Sequence, residues 1–92
     1  MITDNHDLLR GIRVVTLSIN TPGPVAASRL ANMGASVTKV EPPTGDPLRQ
    51  FARSWYDSLC QGQEIITLDL KNSADRARLD TLLGNADLLL AS

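Results

Sequence analysis

The sequence predicts an α/β domain with a mostly parallel four-stranded sheet, two main helices and a long irregular connection. Three observations carry this. Short β-rich runs alternate with segments whose apolar residues recur every three or four positions, and turn formers separate the two kinds. The closing run, Leu88-Leu89-Leu90, is continuously aliphatic, as in a parallel-sheet strand covered on both faces. Strand, helix, strand, loop, strand, helix, strand is the order that packs helices over a mostly parallel sheet.

The first ten residues read as a flexible lead-in and residues 11–92 as one domain with a single modest core. Arg13 to Leu17 is a β-rich run bounded by turn formers, which makes it the first strand. In Asn20-Thr21-Pro22-Gly23-Pro24, Thr21 can cap a helix, and Pro22 or Pro24 can occupy its first turn without losing a needed hydrogen bond. Ala26, Leu30 and Met33 share a face of that helix, and Gly34 stops it. Ser36 to Glu41 alternates as strand two until Pro42-Pro43 removes two backbone donors. From Pro42 to Leu59 there is no clean period, and Thr44-Gly45-Asp46-Pro47 is turn chemistry, so this stretch is the irregular connection. Glu64 to Leu70 reads as strand three, with Ile66, Leu68 and Leu70 on one face. Asn72 or Ser73 caps the second helix, Leu79, Leu82, Leu83 and Ala86 line its apolar side, and Gly84-Asn85 ends it.

Composition excludes several functions. Nine Lys and Arg against ten Asp and Glu give a net charge of −1, without the basic excess that nucleic-acid binding needs. No apolar run approaches a membrane span, and the acidic N-terminus lacks the pattern of a secretory leader, so a cytoplasmic protein is expected. One cysteine, Cys60, and one histidine, His6, leave no parts for an internal disulfide, a paired-thiolate metal site or a His-based triad. A dinucleotide fingerprint fails too: the loop after strand one has one glycine and two prolines where three glycines are needed. Glu41 then has a structural job, accepting hydrogen bonds where the chain leaves the sheet.

A more specific signal comes from six blocks in order: Leu9-Arg10-Gly11-Ile12-Arg13-Val14-Val15, Pro22-Gly23-Pro24, the run from Leu30 through Lys39-Val40-Glu41-Pro42-Pro43, Gly45-Asp46-Pro47-Leu48-Arg49, Thr67-Leu68-Asp69-Leu70-Lys71 and Ala86-Asp87-Leu88-Leu89-Leu90. Together they resemble the N-terminal segment of the family III CoA-transferases, the group that includes formyl-CoA and carnitine CoA-transferases and alpha-methylacyl-CoA racemase. The resemblance implies a Rossmann-like half-domain that supplies part of a CoA site in a much longer protein. By position it sets Asn20, Thr21 and Pro22 near the pantetheine and thioester end of CoA, and Pro42 where some members carry an arginine near the nucleotide. Leu68, Asp69, Leu70 and Lys71 fall where the family holds adenine and the ribose phosphates, and Ser92 at the asparagine that begins the next contact turn.

The resemblance also implies that CoA or acyl-CoA is a substrate rather than a tightly bound cofactor. Family members form interlocked homodimers, so the remainder of a full-length protein or a second half is an expected partner. Family chemistry transfers CoA from a thioester to a carboxylate through an aspartate that forms an enzyme-bound anhydride, dividing one difficult displacement into easier steps. None of Asp46, Asp57, Asp69, Asp75, Asp80 or Asp87 matches that aspartate, so no catalytic residue is assigned and the chain is expected to be inactive alone.

The residues themselves leave alternatives open. Lys71 is equally a solvated lysine before a helix cap, Leu68 a core residue and Thr21 only a cap. Phe51, Trp55 and Tyr56, with Arg49 and Arg53 among them, could stack a base or dock a partner, but are expected to fold back over one edge of the core. Cys60 is expected to be buried or inert. Gln63 and Glu64 stand where the family commonly has cations, which would weaken binding of a phosphate nearby and favours the competing reading, a non-catalytic interaction or assembly module.

Overall fold

The computed structural model describes residues 8–17, 19 and 23–91. Four parallel strands, β1 (Arg13–Thr16), β2 (Ser36–Glu41), β3 (Glu64–Thr67) and β4 (Leu88–Leu90), form one sheet in the order β3-β2-β1-β4. The helices are α1 (Gly23–Asn32), α2 (Pro47–Phe51), α3 (Arg53–Cys60) and α4 (Ser73–Gly84). The fold class is thus α/β with an all-parallel sheet, and the chain doubles back beside β1 to place β4.

Strand alternation sorts the core into two layers. Val14 and Val37 face α1, where small Ala27 and the following Ala35 let the helix approach closely, and Leu9, Leu30 and Leu90 close the cluster. Val15 and Val40 point the other way, onto Leu68 and Leu79, with Leu82, Leu83 and Ala86 of the α4 region around them. Gly34 ends α1 as a left-handed C′ residue: its N–H donates to Ala31 O and that of Ala35 to Leu30 O, which satisfies the last carbonyls of the helix. Leu9 N–H donates to Met33 O, so the chain is already anchored before β1 begins.

Four expectations need correction. The stretch from Pro42 to Leu59 is not irregular, because it holds α2 and α3. The residues read as turn formers are a helix start: Asp46 caps α2 by accepting from Leu48 N–H, and Pro47 sits in its first turn. In α3, Tyr56 and Cys60 fall four residues apart and bury with Leu48. Phe51 and Trp55 point away from that side and are 84% and 48% exposed, so of the three aromatics only Tyr56 covers the core.

Strand three stops at Thr67 rather than Leu70. Leu68 N–H still donates to Glu41 O, but Asp69 N–H goes to the Asp75 carboxylate and Lys71 N–H to Asp69 Oδ1, so the chain leaves the ladder. Finally, β4 is not covered on both faces. It is an edge strand paired with β1, and Leu88 and Leu89 are 41% and 46% exposed.

Candidate functional site

All four strands run the same way, so their carboxyl ends share one rim, the place where open α/β sheets take ligands. A cleft of about 500 Å³ opens there. Leu17 after β1, Val40 to Thr44 at the end of β2 and Leu68 to Lys71 after β3 line it. Its walls are largely apolar, with Glu41, Thr44, Asp69 and Lys71 as the polar residues, the composition of a pocket that grips an apolar ring and orients it by a few groups. A second cleft of about 270 Å³ shares the Pro42–Thr44 wall and adds Gly45, Arg49, Gln50 and Arg53.

Side chains fix the turn between β3 and α4. Asn72 caps α4 by accepting from the N–H groups of Ala74 and Asp75, while the Asp75 carboxylate reaches back to Asp69 N–H at 2.8 Å. Asp69 in turn accepts from Lys71 N–H at 3.0 Å. Lys71 is exposed at the cleft mouth, where its ammonium can meet an anionic group as a point charge.

Beneath the other wall lies a buried ionic cluster. Lys39 is 1% exposed, and its Nζ sits 2.5 Å from Asp46 Oδ2, 3.4 Å from Glu41 Oε2 and 4.8 Å from the centre of the Tyr56 ring. Tyr56 donates its hydroxyl proton to Glu41 Oε2 at 2.5 Å. Glu41 therefore does accept a hydrogen bond where β2 ends, from a partner in α3. Burial, and then the Glu41 carboxylate it bonds, push the Tyr56 phenol well above the ordinary tyrosine range.

Cys60 Sγ lies 3.9 Å from Lys39 Nζ. Burial pushes its thiol up, and the nearby ammonium opposes this without overcoming it. Both groups are acids with raised folded values. The stability they contribute is complete below the ordinary thiol value of about 8.5 and is lost as pH climbs through their folded values. Iodoacetamide should therefore label Cys60 at pH 8 at least about tenfold more slowly in the native chain than in denaturant. Equal rates would show an open, ordinary thiol.

The sequence profile of CoA-transferase family III matches residues 9–92. The chain belongs to that family. It is 34% identical over 90 residues to succinyl-CoA–D-citramalate CoA-transferase of Chloroflexus aurantiacus, covering 89% of this chain and 22% of that protein. Against alpha-methylacyl-CoA racemase of Mus musculus it is 34% identical over 83 residues, covering 90% and 20%. Among solved structures, a CAIB/BAIF family protein from Brucella suis superposes with a TM-score of 0.84 at 29% identity, over 92% of this chain and 25% of that one. The hypothetical protein Rv3272 of Mycobacterium tuberculosis gives 0.82 at 31%, over 90% and 24%. The chain thus spans about a quarter or less of the length of these relatives.

Of the residues singled out from the sequence of this family III chain, Pro42, Leu68, Asp69, Leu70 and Lys71 meet at the larger cleft. Asn20, Thr21, Pro22 and Ser92 lie outside the described residues. Leu68 has both of its suggested roles, since it is buried among Val15, Val40 and Leu79 and also floors the cleft. The replaced cations Gln63 and Glu64 sit at the amino end of β3, at the opposite end of the strand from the cleft. Four steps along the strand take the chain from Glu64 to Leu68, about 13 Å, beyond the roughly 8 to 10 Å over which exposed charges act at physiological salt.

Sequence reasoning missed the Lys39 cluster. A signal was present: Val37, Lys39 and Glu41 share one face of β2, so a strand that buries Val37 also buries a pair of opposite charges.

Proposed function

We propose that this chain is the N-terminal CoA-binding part of a family III CoA-transferase-like protein, which moves CoA between an acyl-CoA thioester and a carboxylic acid. The observation that carries this reading is the meeting of Pro42, Leu68, Asp69, Leu70 and Lys71 around one cleft at the strand ends. The apolar walls suit the adenine ring, the Asp69 carboxylate can accept from a ribose hydroxyl, and Lys71 can meet a ribose phosphate. The relatives named above include a CoA-transferase and an acyl-CoA racemase, both of which handle CoA thioesters.

The chemistry that the family resemblance implies uses an aspartate carboxylate free to attack the thioester carbon. Glu41 and Asp46 are buried and committed to Lys39, Tyr56 and Leu48, and Asp69 holds its own turn. We therefore assign the chain a binding role, with the attacking group supplied by polypeptide of the kind that makes up the rest of the relatives. Alone, the chain binds CoA and transfers nothing. The competing reading, a module that only assembles, drew on Gln63 and Glu64, and their separation from the cleft removes that support.

Titration with CoA, followed by backbone amide shifts, tests this. Shifts are expected at residues 41–44 and 68–71, and no change at millimolar CoA would reject the reading. Lys71→Ala should weaken binding about five- to tenfold, the worth of one partly screened charge contact, without lowering the melting temperature, because Lys71 is exposed. Equal affinity would remove Lys71 from the site.

A further inference from the structure

The turn from Pro42 to Gly45 is the common wall of both clefts. Its internal support is slight: Gly45 N–H donates to Pro42 O at 2.8 Å, and Gly45 takes a positive φ of 80°. Two prolines next to each other leave two residues of this segment without a backbone donor. What holds the turn lies beneath it. Glu41 precedes it and Asp46 follows it, both carboxylates bury against Lys39 Nζ, and Tyr56 of α3 donates to Glu41. Glu41 also ties this wall to the opposite one, since its carbonyl accepts from Leu68 N–H at 3.0 Å.

The geometry points to the Lys39, Glu41, Asp46 and Tyr56 cluster as a clamp that positions this lip for ligand, with the Tyr56 hydroxyl as its positioning group. Lys39 draws the two ends of the turn together, and Tyr56 fixes the rotamer of Glu41. The lip then stands in place before ligand arrives, and binding does not have to order it. The inference rests on the CoA reading for the identity of the ligand, but not for the clamping of the lip, which is measured without ligand.

Tyr56→Phe removes the hydroxyl and keeps the ring that packs on Leu48 and Cys60. Val14→Ala weakens the core cluster around Val37, which holds none of the four clamp residues, and serves as the comparison. In the ligand-free 92-residue chain, amide exchange at Gly45 and Leu68 should accelerate about tenfold in Tyr56→Phe, while Val14→Ala leaves Gly45 unchanged. CoA affinity, measured well below the melting temperature of both variants, should fall about three- to tenfold in Tyr56→Phe and stay at the wild-type value in Val14→Ala.

A purely structural hydroxyl would act through global stability, so the two variants would then show the same exchange at Gly45 and the same affinity, and the inference would be overturned. If the wild-type chain binds no CoA, the functional reading fails, and exchange at Gly45 decides on the clamp by itself. If Tyr56→Phe does not fold, Asp46→Asn gives the same readout, because Asn keeps the cap oxygen for Leu48 and removes the charge that Lys39 holds.

Discussion

Lys39→Met is expected to cost about 3–5 kcal/mol of folding stability, because it strands two buried carboxylates without their cation. Domains of this size are stable by only about 5–15 kcal/mol in total, so the variant should be partly unfolded at moderate temperature. The loss does not mean that the cluster is a large net source of stability, since burying charges carries a heavy desolvation cost of its own. Adding Asp46→Asn to Lys39→Met should recover part of the loss, since one stranded charge disappears while the α2 cap oxygen remains. Denaturant midpoints of the single and double variants measure both effects. A Lys39→Met chain within about 1 kcal/mol of wild type would mean that water reaches the cluster and screens it.

Leu68→Ala is the other large effect. Leu68 is 1% exposed and joins Val15, Val40 and Leu79, so truncation should cost about 2–5 kcal/mol in lost transfer energy and cavity formation. It also lines the ligand cleft, and CoA affinity should fall alongside stability, which separates it from Lys71→Ala, where affinity alone moves. Thermal melts paired with CoA titrations on the two variants check the contrast. A Leu68→Ala chain that melts like wild type would contradict its place in the core.

The order of strands and the two longer helices were legible because each rests on local signals. Ser36 to Glu41 is bounded by Gly34 before and Pro42 after, and the structure ends β2 at Glu41. Asn72 caps α4 as its side chain allows. The two helices between β2 and β3 were illegible by period, because five and eight residues span too few turns for a repeat to stand out. The exposure of β4 is a matter of sheet order: three leucines predict burial by neighbours, and the neighbours depend on where in the sheet the strand is placed. As for the cleft, Leu68 to Lys71 could be picked out by resemblance. The Lys39 cluster joins residues 39, 41, 46, 56 and 60 through tertiary contact, and a composition of mixed charges gives no hint that one ammonium has left solvent.

The anchors of the lip belong to β2, α3 and the α2 cap, while Pro42, Pro43 and Thr44, which line the cleft beside Glu41, are not among those anchors. Scaffold and recognition are therefore written in different letters of the same short stretch. Those three positions can drift, exchanging a ring for a charge or a hydroxyl, while Glu41, Gly45 and Asp46 keep the loop's path. A protein built this way can be retuned toward a new guest by editing a tripeptide, with no need to rebuild what carries it.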